Sequence, residues 1–266
     1  MVSTELLVGD ARTRLRELSS RSVDLIITSP PYGSIIEYSS HRDQIGFNQS
    51  LQQYYRSLQQ VFEECVRILK PGCRLVVNIG DEFIRSSADC DFQIIPHHAK
   101  IIQLLHGQLG LKYMGDVIWS KVTRSSTNGG AKILGSVDRP RTAHHFVNHE
   151  YVLIFTKPGQ AAVPQGTLGE STFSLEQRQK WFTDTWTIAA EKTVLHPAAF
   201  PLELAERLVQ MYSYVGELVL DPFAGSGTTL LAAAMHDRDS IGVELGFGPG
   251  WQEVVRSRLQ RIKIIR

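Results

Sequence analysis

The stretch Leu218-Val-Leu-Asp-Pro-Phe-Ala-Gly-Ser-Gly-Thr-Thr-Leu-Leu231 combines a short apolar strand, a turn with two glycines and the start of a helix. Gly225 and Gly227 allow the backbone to turn sharply and to approach a ligand closely, and the helix start offers backbone N–H groups without intrahelical partners. Glu244 ends the next predicted strand, roughly 20 residues after the turn, where an acidic side chain can accept hydrogen bonds from both hydroxyls of a ribose. This strand–turn–helix unit of an α/β fold therefore predicts a site for a nucleoside-containing cofactor.

The glycine turn, residues 221–228, also limits the choice of cofactor. A dinucleotide site normally carries a third glycine that helps to place a pyrophosphate on the helix N-terminus. After Gly227 the chain continues with Thr228-Thr-Leu-Leu231, without a third glycine or a phosphate-binding lysine. S-adenosylmethionine has no phosphate and fits this turn better, with Asp221 placed to bind its amino-acid end directly or through water.

Along the whole chain, short apolar runs alternate with amphipathic stretches, a pattern typical of a mostly parallel sheet covered by helices. The predicted strands are Glu5–Val8, Val23–Thr28, Arg74–Ile79, Asp116–Trp119, Tyr151–Phe155, Leu218–Leu220 and Ser240–Glu244. The predicted helices are Gln52–Leu69, Pro201–Met211 and Thr228–Met235. Because no convincing helix separates Asp116–Trp119 from Tyr151–Phe155, we expect these two strands to pair as an antiparallel hairpin.

The composition is that of an ordinary globular protein, with 266 residues, 42% hydrophobic residues and a formal net charge of +1. Any polyanionic partner must therefore be met by a local basic patch. The three cysteines contain no Cys-x-x-Cys pair, which argues against a disulfide framework and a cysteine-rich zinc site. His97 and His98 are predicted to be surface residues, and no metal site is expected. Without a long apolar run, we expect a soluble, cytoplasmic protein that does not span a membrane.

The segment Val23-Asp-Leu-Ile-Ile-Thr-Ser-Pro-Pro-Tyr32 predicts a strand that stops at two prolines. Proline removes backbone donors, so the carbonyls of Ser29 and Pro30 are left facing whatever cleft lies beyond the sheet. With the Ser29 hydroxyl and the flat ring of Tyr32, this proline corner, residues 29–32, suits a planar group that carries an NH₂. Taken alone, the same residues would equally suit an ordinary strand-ending turn.

Two irregular segments interrupt the alternation. Residues 120–149 form a long polar loop, and basic residues outnumber acidic ones between Lys112 and Lys157. The charge of this loop suits contact with a polyanion, with a solvated loop as the alternative. Its basic residues include Arg124, Lys132, Arg139 and Arg141. Residues 158–186 end in an aromatic cluster that is predicted to pack within the protein.

Together, the proline corner and the glycine turn resemble the motifs of the S-adenosylmethionine-dependent DNA amino-methyltransferases. The catalytic motif precedes the cofactor motif, as in the permuted β group of that family. The resemblance extends over most of the chain apart from the two irregular segments. It includes Gly9-Asp10, Leu69-Lys-Pro-Gly-Cys-Arg-Leu75, Ile118-Trp-Ser-Lys121, His149-Glu-Tyr-Val-Leu-Ile-Phe155 and His196-Pro-Ala-Ala-Phe-Pro201.

The resemblance implies a Rossmann-like, seven-stranded methyltransferase sheet with one antiparallel strand and helices on both faces. Asp10 would contact the adenine of S-adenosylmethionine, Glu244 its ribose, and residues 223–227 and 196–201 its methionine half. The catalytic residues would be Ser29, Pro30, Pro31 and Tyr32. The cofactor-binding residues would be Asp10, His196, Phe200, Asp221, Pro222, Phe223, Ala224, Gly225, Ser226, Gly227, Thr228 and Glu244.

The same resemblance suggests a division of the chain. Residues 1–119 would form the catalytic half, 187–266 the cofactor-binding half and 150–157 a strand of the same sheet. Residues 120–149 would be the DNA-contacting loop, and 158–186 a small target-recognition segment. The candidate DNA-binding residues, which would contact phosphates or guanine edges, are Arg124, Lys132, Arg139 and Arg141. Relatives that pair as dimers suggest a homodimer.

The target base follows from the resemblance as well. Serine before Pro-Pro-Tyr, and His-Pro-Ala-x-Phe-Pro, are typical of cytosine-N4 enzymes, whereas many adenine-specific relatives have Asp at the first position. We therefore expect methylation of a flipped cytosine in double-stranded DNA, within a restriction-modification system. Adenine-N6 methylation is the main alternative, followed by a non-catalytic DNA-binding module and a nucleotide-binding oxidoreductase.

Overall fold

The computed structural model describes residues 2–31, 43–84, 92–121, 141, 147–164, 169–190, 200–246, 250–259 and 262–265. The strands are β1 (Thr4–Val8), β2 (Val23–Thr28), β3 (Leu69–Ile79), β4 (Glu82–Ile84), β5 (Gln93–Ile95), β6 (Lys112–Lys121), β7 (His149–Thr156), β8 (Thr185–Ile188), β9 (Leu218–Asp221), β10 (Asp239–Glu244) and β11 (Ile262–Ile265). The helices are α1 (Ala11–Arg14), α2 (Leu51–Ile68), α3 (His97–Ile102), α4 (Leu175–Trp181), α5 (Leu202–Tyr212), α6 (Thr228–Met235) and α7 (Trp251–Arg258).

Nine of the strands form one sheet in the order β11-β1-β10-β9-β2-β3-β7-β6-β8. Neighbouring strands are parallel except at β7, which runs antiparallel to both β3 and β6. The predicted hairpin is thus confirmed, and β7 is the antiparallel strand that the resemblance implied. Strands β2 and β9 lie side by side although they are distant in sequence, so their carboxyl ends meet at one edge of the sheet.

Helices cover both faces of the sheet, as predicted. On one face, α2 buries Leu58, Val61 and Phe62 in a cluster with side chains of β2 and β3. On the other face, α5 and α6 pack against Leu25 and the alternate side chains of the same strands. Helix α2 begins at a capping box in which Ser50 and Gln53 satisfy each other's backbone N–H groups.

The sheet has nine strands rather than the seven expected, because β8 and β11 were not predicted. Each has only four residues and lies at an outer edge of the sheet. Strand β8 buries two side chains and β11 none, too few to give a clear signal in the sequence. Strand β8 also crosses the boundary predicted at residue 187, so the end of segment 158–186 belongs to the main sheet. There Trp181 and Trp186 are buried, as predicted.

Within the described part of the chain, no helix is both long and apolar enough to cross a membrane.

Gly242 sets the distance between β10 and the glycine turn. A Cβ at this position would lie 2.8 Å from the Cβ of Ala224 and 3.0 Å from both methyl carbons of Leu230. We expect Gly242→Ala to lower the free energy of unfolding by about 1–3 kcal/mol, because such crowding forces the turn or the helix to shift. Denaturant unfolding would measure the change. Gly107→Ala is the control, since its Cβ would meet only Gln103 Cγ at 4.0 Å. Equal stability of the two variants would contradict the prediction.

Candidate active site

The proline corner and the glycine turn meet at the carboxyl edge of the sheet. Thr28, which ends β2, donates a hydrogen bond of 2.9 Å from Oγ1 to Asp221 Oδ1 at the end of β9. Beyond this contact, the next residues of both strands line one cleft with about 680 Å³ of empty space, including the part open to solvent. The lining includes Ser29 and Pro31 from the corner and Pro222, Phe223 and Gly225 from the turn. Two motifs that are far apart in sequence therefore open into the same site.

Asp221 shapes the glycine turn from behind. It is 2% exposed, and its carboxylate accepts hydrogen bonds from Thr28 Oγ1, from Phe223 N at 3.0 Å and from Thr229 Oγ1 at 2.7 Å. Burial raises the pKa of Asp221 to about 6, and these three hydrogen bonds oppose the rise. Asp221 thus lies behind the turn, outside the described lining of the cleft, and its contact with the amino-acid end of the cofactor stays a prediction.

Glu244 faces the cleft from the end of β10. Its Oε2 accepts a hydrogen bond from Gly225 N at 2.8 Å, and its Oε1 accepts one from Gly246 N at 2.7 Å. Burial raises the pKa of Glu244, and the backbone donors favour the charged form. A carboxylate oxygen can accept two hydrogen bonds, so each oxygen retains acceptor capacity for one hydroxyl of a ribose. The structure is thus compatible with the predicted role.

Asp10 also lines the cleft, but Arg12 holds its carboxylate. Asp10 Oδ1 caps α1 by accepting from Arg12 N, and Oδ2 pairs with the Arg12 guanidinium at 2.6 Å. The same guanidinium donates to the Asp43 carbonyl at 3.1 Å. A ligand that hydrogen-bonds to Asp10 must therefore share the carboxylate with Arg12. Neither Arg12 nor the lining residues Asp43, Gln44 and Ile45 were predicted from the sequence, because they carry no motif or periodic pattern.

Other residues of the glycine turn make contacts within the protein. Ala224, Ser226 and Thr228 are buried, and Ser226 Oγ accepts a hydrogen bond of 2.6 Å from Arg258 in α7. Gly227 has a φ of +82°, which a glycine adopts without strain, and it caps the start of α6. Of the predicted turn residues, Pro222, Phe223 and Gly225 line the cleft.

A tyrosine of α2 holds the proline corner. Tyr54 is buried, and its hydroxyl donates a hydrogen bond of 2.8 Å to the Pro31 carbonyl. Pro30 and Pro31 have no N–H, so a carbonyl is the backbone group through which this dipeptide can be fixed.

Several predicted residues lie elsewhere. Phe200 packs in the core cluster on the α5 face, and Arg141 is exposed. The predicted residues Tyr32, Arg124, Lys132, Arg139 and His196 lie outside the described residues.

The prediction that His97 is a surface residue was wrong. His97 is fully buried at the start of α3, where its Nδ1 lies 2.7 Å from Tyr55 Oη and its Nε2 lies 3.1 Å from Glu82 Oε2. These partners come from α2 and β4, so no local pattern in the sequence reveals them. His98 is partly exposed and contacts Asp81 at 2.8 Å. In the described part of the chain, no cluster of three His, Cys, Asp or Glu side chains could hold a metal ion.

The charge of the cleft distinguishes between cofactors. Its titratable lining residues are Asp10, Asp43 and Glu244, and the described lining includes no lysine or arginine. Even with the Arg12 guanidinium paired to Asp10, carboxylates outnumber cations around the described lining, which disfavours a pyrophosphate and favours a cation such as a sulfonium. With the ribose acceptors of Glu244 and the apolar side chains of Ile45 and Phe223, the lining fits S-adenosylmethionine.

Comparison with known proteins agrees with this geometry. The family of DNA methylases designated N6_N4_Mtase matches residues 23–246. The type II methyltransferase M.MthZI of Methanothermobacter thermautotrophicus is 33% identical over 92% of this chain and 73% of its own. M.MjaI of Methanocaldococcus jannaschii, also a type II methyltransferase, is 32% identical over 91% of this chain and 86% of its own. TTHA0409 of Thermus thermophilus, a candidate DNA modification methylase solved with S-adenosyl-L-methionine, is 33% identical, with a TM-score of 0.76 over 99% of this chain and 100% of its own.

The buried Asp221 predicts a specific pH dependence of stability. Its pKa is raised from 3.8 to about 6, so the folded protein binds this proton more tightly than the unfolded chain does. The free energy of unfolding of the wild type should therefore fall, relative to Asp221→Asn, as the pH rises through this range, by at most about 3 kcal/mol. Asparagine keeps an acceptor for Thr28 and can donate to Thr229. Denaturant unfolding between pH 4 and 7 would measure the difference, and a value that is constant with pH would contradict the prediction.

Proposed function

Because the chain belongs to the N6/N4 family of DNA methylases, we propose that it methylates the exocyclic N4 amine of a cytosine flipped out of double-stranded DNA. It is an S-adenosylmethionine-dependent DNA methyltransferase of the restriction-modification type. Beyond this function, we propose that the target base is cytosine and that the chain belongs to the permuted β group. The observation that carries it is the common cleft, which the proline corner and the glycine turn line together.

The proline corner supplies acceptors for the target amine. The amine of cytosine is a poor nucleophile, because its lone pair is delocalised into the ring. If Ser29 Oγ and the Pro30 carbonyl each accept one N–H, the nitrogen can become pyramidal and direct its lone pair into the cleft. The corner is suited to this task because its prolines contribute no competing N–H and Tyr54 fixes the Pro31 carbonyl.

The other lining residues would hold the cofactor. Glu244 would accept hydrogen bonds from the ribose, Phe223 would pack against the cofactor, and Gly225 would allow its close approach. When bound, S-adenosylmethionine supplies an electrophilic methyl group on a sulfonium. The methylated amine is strongly acidic, so its proton is lost during or after attack without a strong general base. These residues therefore need only to orient the two reactants and exclude water.

The cysteines argue against methylation of carbon 5 of cytosine, which needs a thiolate nucleophile. The described lining of the cleft includes no cysteine. Cys65 is fully buried in the core, and burial raises the pKa of Cys73, which lies near the opposite end of β3, to about 11. The chemistry of this cleft thus favours direct transfer to an amine.

Cytosine is preferred over adenine because of Ser29. Many adenine-specific relatives have Asp at this position, and Ser is more typical of cytosine-N4 enzymes. Either side chain can accept a hydrogen bond from an exocyclic amine, so adenine-N6 methylation is the competing proposal. The basic segment 120–149, of which Arg141 is exposed, would contribute phosphate contacts, and stacking on Tyr32 would offset part of the cost of base flipping.

Removing the Glu244 carboxylate should weaken cofactor binding. We expect Glu244→Gln, which keeps the size of the side chain but has one acceptor oxygen, to raise the Kd for S-adenosylmethionine about 10- to 100-fold. Isothermal titration calorimetry would measure it. Glu5→Gln, on the neighbouring strand β1 but not in the cleft lining, is the matched control. Unchanged affinity in Glu244→Gln would exclude the ribose contact.

The target base can be identified directly. DNA incubated with the protein and S-adenosylmethionine is digested to nucleosides and analysed by mass spectrometry, and N4-methylcytosine is expected. We also expect Ser29→Ala to slow methyl transfer at least about 100-fold, because one acceptor of the amine is lost. N6-methyladenine as the sole product would refute the cytosine assignment, and a wild-type rate in Ser29→Ala would refute the role of the corner.

A further inference from the structure

A partly buried polar cluster lies at the same edge of the sheet as the cleft. It comprises Asn78 near the end of β3, Glu150 at the start of β7 and Lys121 at the end of β6. Asn78 Nδ2 donates a hydrogen bond of 2.6 Å to Glu150 Oε2, and Lys121 Nζ pairs with Glu150 Oε1. None of these residues carries a role in the site described above.

The cluster fixes the orientation of the Asn78 amide. A carboxylate can only accept hydrogen bonds, so the atom that faces Glu150 must be Nδ2 and the oxygen must point away from it. Asn78 is 2% exposed, and no donor within the described residues reaches its Oδ1. A buried acceptor without a partner costs about 1–3 kcal/mol. A hydrogen-bond donor that reaches Oδ1 would remove this cost. We therefore expect such a donor to come from a side chain that moves or from a ligand that binds.

The sheet register identifies that donor. Thr28 of β2 pairs with Val77 of parallel β3, so Ser29 and Asn78 are the next residues of two strands that lie roughly 5 Å apart. Alternation along both strands places Ser29 and Asn78 on the face that Ile27 and Val76 share. Within the described part of the chain, the Ser29 hydroxyl makes no hydrogen bond. An unpaired hydroxyl therefore neighbours an unpaired acceptor.

We propose that Asn78 Oδ1 accepts the hydroxyl hydrogen of Ser29 when the target base is bound. A serine hydroxyl carries one hydrogen and two lone pairs, and its rotor is otherwise free to aim the hydrogen at the incoming amine. With the hydrogen directed at Asn78, the lone pairs of Ser29 Oγ face the N–H of the base. No covalent bond forms or breaks in this step.

Asn78 is thus a positioning residue that acts through Ser29, and the inference rests on the proposed function of Ser29. Glu150 and Lys121 hold the amide in place, and the Glu150 charge polarises the amide so that its oxygen is a better acceptor. This arrangement explains why a mostly buried carboxylate is paired with Lys121 beside a residue outside the described lining of the cleft.

A double-mutant cycle tests the inference. Single-turnover transfer of a radiolabelled methyl group is measured for the wild type, Asn78→Leu, Ser29→Ala and the double variant. We expect Asn78→Leu to slow transfer about 10- to 100-fold, as for a misoriented catalytic group, with unchanged affinity for S-adenosylmethionine. In the Ser29→Ala background, Asn78→Leu should cause no further loss. Val76→Ala, two residues earlier on the same face, is the control, and its effect should be the same in both backgrounds.

A second variant tests the inference if Asn78→Leu does not fold. The exchange Asn78→Asp with Glu150→Gln keeps a hydrogen bond between the two side chains and an acceptor oxygen towards Ser29. It should retain a transfer rate within about tenfold of the wild type. A folded exchange variant that transfers methyl groups as slowly as Asn78→Leu would overturn the inference. It would also be overturned if the rate loss of the Asn78→Leu/Ser29→Ala double variant equalled the product of the two single losses. A wild-type rate in Ser29→Ala would overturn the proposed function together with it.

Discussion

The hydrogen bond between Thr28 and Asp221 is the contact on which the site depends. It joins the last residue of β2 to the last residue of β9, so the chain that follows each strand is directed into the same cleft. Asp221 also fixes the glycine turn through Phe223 and Thr229. Burial raises the pKa of this carboxylate, so its charged form lowers the free energy of unfolding of the protein relative to its neutral form. One buried side chain thus sets the geometry of both halves of the site.

Much of the fold and part of the site could be predicted from local sequence. Seven of the nine strands of the main sheet, the hairpin of β6 and β7, and the glycine turn all carry a signal within a few residues, such as an apolar run, a glycine pair or a double proline. Glu244 was identifiable because its distance from the turn is set by one helix and one strand. The edge strands β8 and β11 were not, because they bury few side chains and pair with strands distant in sequence.

The residues that the sequence did not reveal are those whose role depends on tertiary contacts. His97 was predicted to be a surface residue at a helix start, yet Tyr55 and Glu82 enclose it. The hydrogen bond of Asp221 to Thr28, which ends a strand distant in sequence, was likewise not predicted. Asn78 carries no motif, and only the pairing of β3 with β2 and β7 places it beside the proline corner.

The contact between Tyr54 and Pro31 has a consequence for how the gene can vary. An α-helix turns by about 100° per residue, so inserting or deleting one residue in α2 ahead of Tyr54 would carry its hydroxyl away from the Pro31 carbonyl. The same length change in a surface loop would leave the contact intact. Natural variants of this chain should therefore tolerate changes in loop length while the number of residues between Ser50 and Tyr54 stays constant.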